Sequence, residues 1–354
     1  MKRSLVIVVV APLCVILALW AWAFALRRRY DARTWPDNLG TLETAPRHFK
    51  TQPNAAGLRL TSMPTALDRG PESLRDYLKT ELERSTGEIA APPPGLAAYL
   101  REQSAQLDLI RDHILAAGEV RNADFRLHFG LTKRFVARAF MNGSWDDLHA
   151  AWLLDRPLWE RQQEIPVALY TTRMLNAAAA KMPLPVPPWL DELRSFDYER
   201  RVAAAYQADT FDSRQITDQV LGEHRLMSLI DGWDAVASNA DFSEQVRVRT
   251  GELLASKSCD FANDPLIRKP LPVASWNATG HALGPLKFLD WSSVARFRVE
   301  REATDKILAL RRGETPSAAT RCSDGTWSVS ALGVKFSRDI AVRDEIKYPL
   351  AYQR

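Results

Sequence analysis

The sequence predicts a mainly α-helical protein with an N-terminal transmembrane helix, a proline-rich linker, a multi-helix globular body and a small C-terminal β-hairpin. Three observations predict this fold class. A long uncharged apolar run lies near the N-terminus, apolar residues recur at helical spacing through most of the chain, and short alternating segments occur near the C-terminus. The content of 46% hydrophobic and 25% charged residues is that of a packed globular protein, so a disordered chain is excluded.

The N-terminal apolar run carries no charge from Ser4 to Leu26. At about 1.5 Å per residue it makes a helix of roughly 35 Å, which is enough to cross a hydrocarbon layer about 30 Å thick. Trp20 and Trp22 precede three consecutive arginines, where interfacial aromatic residues are expected. We therefore predict a membrane anchor over residues 1–29 that contacts the lipid bilayer through residues 4–26.

The orientation of the anchor depends on charges at both of its ends. A short Lys2-Arg3 start before a long apolar run is the layout of an uncleaved signal-anchor. This layout favours a single-pass protein of the bacterial inner membrane with an exported, periplasmic body. The count of positive charges favours a cytoplasmic body, because Arg27–Arg29 and Arg33 follow the apolar run. A cleaved signal peptide ending at Ala23-Phe24-Ala25 is the other alternative.

The remaining chain divides by its pattern into three regions. Residues 30–66 hold several prolines and no sustained apolar periodicity, which is typical of a linker that holds the body off the bilayer. Residues 67–258 show successive amphipathic helical stretches and form the predicted helical domain. Residues 259–354 are predicted as a C-terminal helix plus a β-hairpin, with strands at 326–330 and 334–337, packed on the helical domain.

Three tryptophans form a stripe on one predicted helix. Trp145, Trp152 and Trp159 are seven residues apart and follow the turn Asn142-Gly143, with Ser144 as the helix cap. Residues at this spacing share one helix face. The stripe is therefore either part of the core or a partly exposed interaction surface.

The cysteines bear on the compartment of the body. Cys14 lies in the membrane segment, which leaves Cys259 and Cys322 as a pair in the body. In an oxidising compartment this pair could form a disulfide that closes a long loop. Two unrelated buried thiols are the alternative.

A search for catalytic and binding motifs finds none of the common phosphate-binding, hydrolase or zinc signatures. The densest set of metal-ligating residue types is Asp146, Asp147 and His149, but acids in a first helical turn are explained by the helix dipole. We therefore predict no cofactor and no metal site. The net charge of +4 is more than accounted for by five basic residues before Tyr30, so the nearly neutral body does not predict a nucleic-acid partner.

The order of these features resembles large uncharacterised families of single-pass bacterial envelope proteins. The resemblance covers the basic start, the membrane helix, the linker with Asn54-Ala55-Ala56, the run of helices and a C-terminal pattern, namely Lys306-Ile307-Leu308, Gly313, Pro316, Cys322, Asp324-Gly325 and Trp327. An excess of arginine over lysine and abundant alanine are typical of GC-rich bacterial genomes. The resemblance implies a location in the cell envelope and no particular activity.

The anchor, the tryptophan-rich helices and the missing motifs together favour binding over catalysis. The leading hypothesis is a membrane-tethered interaction or scaffold protein whose body binds another envelope protein. The alternative is a membrane-anchored envelope hydrolase with a site built from dispersed Asp, Glu and His residues, which would require two such side chains to converge in a cleft. An apolar cavity lined by tryptophans would instead indicate a small-molecule sensor.

Overall fold

The computed structural model of the protein describes residues 2–44, 53–63, 70–83, 89–121, 125–223, 225–256 and 269–283, together with single residues and short stretches up to residue 347. It is mainly helical, which confirms the predicted class. The α-helices are α1 (Lys2–Asp31), α2 (Ala55–Thr61), α3 (Glu72–Glu83), α4 (Pro94–Glu102), α5 (Ser104–Ala117), α6 (Phe125–Asn142), α7 (Trp145–Asp155), α8 (Ile165–Ala179), α9 (Leu190–Ser195), α10 (Tyr198–Glu223), α11 (Arg225–Ala255) and α12 (Ala278–Leu283).

The chain forms two compact units, each assembled from segments that are distant in sequence. The first unit comprises Met1–Phe49, Ala203–Ser256 and Pro265–Leu289. The second unit comprises Lys50–Val202, Lys257–Asp264 and Asp290–Arg354.

The first unit is built around the pairing of α1 with α11. Ala23 of α1 is fully buried and lies in one cluster with Val236 and Ala237 of α11. Small side chains at such a contact allow two helices to approach closely. From Val10 to Asp31, α1 is long and apolar enough to cross a membrane, and most of this stretch is exposed in the structure, in agreement with the predicted anchor.

Residues 30–44 pack within the first unit, although they lie in the predicted linker. Trp35 and Leu42 are buried, with 3% and 2% of their surface exposed. The Gln207 side chain of α10 donates from Nε2 to the carbonyl oxygens of Leu39, at 3.2 Å, and Thr41, at 3.0 Å. This stretch therefore follows α1 along the unit. The domain boundaries stay a prediction.

An irregular segment from Lys269 to Asn277 is held on α11 by buried polar side chains. Arg249 is 2% exposed and donates to the carbonyl oxygens of Leu266, Lys269 and Pro270. Asn277 is fully buried, and its Oδ1 accepts from the Gly280 amide at 2.8 Å, which caps α12. Buried donors and acceptors are thus paired where the backbone has no regular structure.

The second unit contains α2 to α9 and most of the buried aromatic residues. Helices α6 and α7 form a pair joined at the turn and the cap that the sequence predicts. Gly143 adopts a φ of +68° after the end of α6, and Ser144 caps α7 by accepting from the Asp147 amide at 3.4 Å. A positive φ at the residue after a helix favours glycine, because other residues pay a steric cost there.

Near the C-terminus the structure describes two strands, β1 (Lys335–Ser337) and β2 (Glu345–Lys347), which pair antiparallel with Phe336 opposite Ile346. The predicted hairpin differs from this pairing. Its first strand, 326–330, lies outside the described residues, so that hairpin is not confirmed.

Candidate functional site

The three tryptophans predicted on one helix divide between α7, which carries Trp145 and Trp152, and the 3₁₀ turn Arg156–Glu160, which carries Trp159, because α7 ends at Asp155 before Pro157. Trp152 and Trp159 are fully buried, and both rings pack against the Phe196 ring, at centroid distances of 5.0 Å and 6.4 Å. Trp159 also donates from Nε1 to the Thr172 hydroxyl at 3.0 Å. Among the three tryptophans, therefore, Trp145 alone reaches the surface.

Trp145 belongs to a half-buried aromatic cluster beside a proline-rich loop, which together we call the Trp-Pro patch. Its members are the half-buried rings of Trp145, His149 and Trp189 together with the partly exposed loop 183–188. The His149 ring stacks on the Trp189 indole at 4.6 Å with an interplanar angle of 4°, and Trp145 meets the same indole edge-on at 6.1 Å. These rings form one continuous surface because Trp189 contacts both of the others.

Backbone geometry fixes the loop of the Trp-Pro patch in place. Trp145 donates from Nε1 to the Pro183 carbonyl oxygen at 2.8 Å. Gly143 lies so close to the loop that a Cβ at this position would be 3.2 Å from Pro183 Cγ. Leu184, at the centre of the loop, is 42% exposed. An apolar side chain is thus presented to solvent on a supported loop.

Around the patch, the side chains of the first turns of α7 point to different neighbours. Asp147 is 1% exposed and forms a buried ion pair with Arg138, with Nε donating to Oδ2 at 2.8 Å. Asp146 is exposed, and His149 stacks on Trp189. Burial lowers the pKa of His149, which favours the neutral imidazole at the patch. Asp146, Asp147 and His149 therefore do not converge on one point.

A second feature of this unit is a polar cleft. It is lined by Arg121, His128, Glu160, Arg161 and Glu164, with Pro157 and Leu158 as apolar walls. His128 is buried and its Nδ1 lies 2.6 Å from the Leu154 carbonyl oxygen, so Nδ1 must carry the hydrogen. His128 comes from α6, Arg121 from the segment before α6, and Glu160 and Glu164 from the two short 3₁₀ turns between α7 and α8.

Both carboxylates of the cleft have arginine partners. Arg161 Nη1 donates to Glu164 Oε1 at 2.6 Å, and Arg121 Nη2 lies 3.4 Å from Glu160 Oε2. Burial raises the pKa of Glu164 in spite of Arg161. No local sequence motif predicts this cleft, because its residues come from separate elements. Within the part of the chain that the structure describes, no group of three or more His, Cys, Asp or Glu side chains could hold a metal ion.

The predicted cysteine pair is not described. Cys259 and Cys322 lie outside the described residues, and so does His224. Cys14 is an exposed free thiol on α1. A disulfide between Cys259 and Cys322 therefore stays a prediction.

Comparisons with known protein families, with curated proteins and with solved structures found no match to this chain.

Proposed function

We propose that this protein is a membrane-tethered scaffold of the bacterial cell envelope, and that its second unit binds another envelope protein through the Trp-Pro patch. In this proposal α1 crosses the inner membrane once and the body lies in the periplasm. The Trp-Pro patch is the observation that carries the binding role. The length and apolar character of α1 support the tether.

The patch has the composition and rigidity of a binding surface. Tryptophan side chains are enriched among the residues that contribute most to protein–protein binding. The Trp145 hydrogen bond and the stacked His149 ring hold the indoles before any partner arrives, which lowers the entropy cost of association. The exposed prolines of loop 183–188 offer an apolar rim with little conformational freedom.

Site-specific photo-crosslinking in intact cells tests this proposal. A benzophenone amino acid is placed at Leu184 in the patch or at Leu109 on α5, which is 56% exposed and lies in the same unit. We expect a discrete crosslinked protein from position 184 that is absent from position 109. Leu184→Asp should abolish co-purification of the crosslinked protein with this chain, whereas Leu109→Asp should leave that co-purification unchanged. Equal crosslinking from both positions would contradict the proposed site.

The periplasmic location is tested on the same membranes. With free thiols blocked and reductant omitted, a peptide linked through Cys259 and Cys322 would support an oxidising compartment. Two free thiols would count against an exported body.

A membrane-anchored envelope hydrolase is the second candidate, and the polar cleft is the observation that favours it. His128 and Glu160 line one small concavity with room for about one water molecule, which is the nucleophile of a hydrolysis. The test is release of soluble fragments from purified cell-wall polymer by the full-length protein. Loss of release in both His128→Asn and Glu160→Gln would favour the hydrolase, and no release by the parent protein would remove it.

A further inference from the structure

Three tryptophans from three separate segments of the first unit meet beside α1. The Trp22 ring lies 6.3 Å from the Trp233 ring of α11 and 5.4 Å from the Trp276 ring of the irregular segment before α12. Trp22 and Trp276 are both 41% exposed. We name these residues the indole cluster. An exposed cluster of this size is unusual for a surface that faces only water.

The indole cluster lies where the apolar part of α1 ends. Helices α1 and α11 run parallel, because Trp22 contacts Trp233 and, further along both segments, Arg33 pairs with Glu244. The beginning of α11 therefore lies beside the apolar part of α1. Ile230, one turn before Trp233, is 63% exposed and extends the apolar surface on this side.

Charged side chains follow the cluster at the distance expected for lipid phosphates. Arg27 pairs within the first unit, since its Nη1 and Nη2 donate hydrogen bonds to the Asp218 carboxylate at 2.6 Å and 2.7 Å. Arg28 and Arg29 are exposed. Tryptophan followed by arginine about two turns later, as Trp22 is followed by Arg28 and Arg29, is the order in which side chains occupy the interface and the headgroup layer of a bilayer.

We propose that the first unit docks directly on the bilayer, with Trp22, Trp233, Trp276 and Ile230 in the lipid headgroup layer. This inference rests on the proposed membrane tether and adds a second contact, made by α11 and the segment before α12. The position of the cluster favours a bilayer as its occupant, because the cluster is continuous with the apolar surface of α1, which is exposed at Leu13, Val15 and Leu17. The beginning of α11, which lies beside the apolar part of α1, is then the part of the first unit that enters the bilayer.

Fluorescent probes on single cysteines test this docking in the full-length protein. The three native cysteines are replaced by serine, and the protein is reconstituted in vesicles of equimolar phosphatidylethanolamine and phosphatidylglycerol. A fluorophore is attached after Ile230→Cys, Trp276→Cys, Leu17→Cys or Val248→Cys. Val248 is the matched control, since it is exposed on α11 at a position well past the cluster. Circular dichroism verifies that each variant keeps its helical content.

Docking predicts that nitroxide on the lipid headgroups quenches the probes at positions 230 and 276 at least about two-fold more than the probe at 248. Aqueous iodide should show the opposite order. If positions 230 and 276 behave like 248 while Leu17→Cys is quenched by mid-chain nitroxide, the tether stands and the docking is overturned. If the probe at position 17 also escapes lipid quenching, the tether and the docking fail together. Protection from iodide at 230 and 276 without lipid quenching would indicate a protein partner on the cluster and would also overturn the docking.

Discussion

At the scale of single residues, Asp155 is the side chain with the most unusual environment. It is fully buried at the end of α7, where it accepts hydrogen bonds from Thr171 and, at 2.7 Å, from Thr172. Burial raises the pKa of Asp155 from 3.8 to about 7, in spite of both hydroxyl donors. The Thr171 hydroxyl can instead donate to the Val167 carbonyl oxygen, which lies 2.8 Å from Oγ1. Thr171 Oγ1 is then able to accept a hydrogen bond from the protonated Asp155 carboxyl group.

This pKa makes the stability of the second unit dependent on pH. Because the folded chain holds the Asp155 proton more tightly than the unfolded chain, the free energy of unfolding falls as pH rises from about 4 to about 7, by on the order of 2–4 kcal/mol. Asp155→Asn keeps one donor and one acceptor but cannot ionise. We expect it to remove most of this fall and to melt at a higher temperature than the parent protein at pH of about 8.

Melting temperatures followed by circular dichroism across this pH range measure the effect. Asp146→Asn is the control, since Asp146 is exposed on the same helix and its removal should leave the fall intact. The same pH dependence in the parent protein and in Asp155→Asn would contradict the protonated state of the buried carboxyl group.

The buried ion pair of Arg138 and Asp147 supports a second prediction at this scale. Both side chains are 1% exposed, and Asp108 lies 3.0 Å from Arg138 Nη1 as a further partner. Burial raises the pKa of Asp147, against the opposite effect of Arg138. Arg138→Met removes both hydrogen bonds from the buried Asp147 carboxylate and leaves Arg111, at 3.8 Å, as its remaining cation, which we expect to cost about 3 kcal/mol of stability.

Two comparisons separate the ion pair from simple packing. The double variant Arg138→Met with Asp147→Leu should recover much of the loss, because no unpaired charge remains. Arg75→Met, which breaks the exposed pair with Glu72, should cost less than about 1 kcal/mol. Chemical unfolding of all three variants measures these differences. A double variant no more stable than Arg138→Met would contradict the conclusion that an unpaired buried charge causes the loss of stability.

At the scale of elements, the close approach of α2 to the backbone of Arg121 depends on Gly57. Asn54 caps α2, with Oδ1 accepting from the Gly57 amide at 2.8 Å and from the Arg121 amide at 3.1 Å. A Cβ on Gly57 would lie 1.9 Å from the Arg121 carbonyl oxygen, so the helix could not keep this position. We expect Gly57→Ala to cost about 3 kcal/mol or more, since backbone atoms must move apart.

Gly95 provides the matched control for this substitution. It also lies in the first turn of a helix, α4, but a Cβ there meets nothing within 4 Å. Gly95→Ala should therefore stabilise the protein by about 0.5–1 kcal/mol through reduced freedom of the unfolded chain. Thermal unfolding distinguishes the two variants. Destabilisation of similar size in both would show that the contact with Arg121 is unimportant.

The helices could be predicted from sequence where apolar periodicity and caps agree, as at Gly143 and Ser144. Helix α2 could not be predicted in this way, because its short Asn54-Ala55-Ala56 start lies among prolines and its stability comes from contact with Arg121. The Trp-Pro patch could not be predicted as such. Spacing predicts Trp145, Trp152 and Trp159 on one helix face, yet α7 ends at Asp155 and tertiary packing buries Trp152 and Trp159. The polar cleft has no local signal at all, since its residues meet only in the fold.

At the scale of the whole molecule, α1 belongs both to the predicted anchor and to the first unit. Its last turns carry Ala23, Arg27 and Asp31, and Asp31 accepts from Arg214 of α10. The sequence predicts an anchor over residues 1–29 followed by a linker over residues 30–66. In the structure, ion pairs and a buried alanine instead join the anchor helix to α10 and α11, so the helix and the unit form one folded body.

This sharing of α1 predicts how truncation affects the protein. A chain of residues 19–354 loses most of the apolar stretch but keeps the contacts of Ala23, Arg27 and Asp31. A chain of residues 45–354 loses all of them, which uncovers Val236 and Ala237 and removes the partners of Asp218 and Arg214. We expect protection from hydrogen exchange in α11 to persist in the longer chain and to fall at least about ten-fold in the shorter one. Helices α6 to α8 of the second unit make none of these contacts and should be equally protected in both chains. If α11 is equally protected in both, α1 is an anchor alone and contributes nothing to the fold of the first unit. If protection falls in α11 while α6 to α8 are unchanged, the membrane helix is an integral part of the folded body, and a soluble version must begin before Ala23.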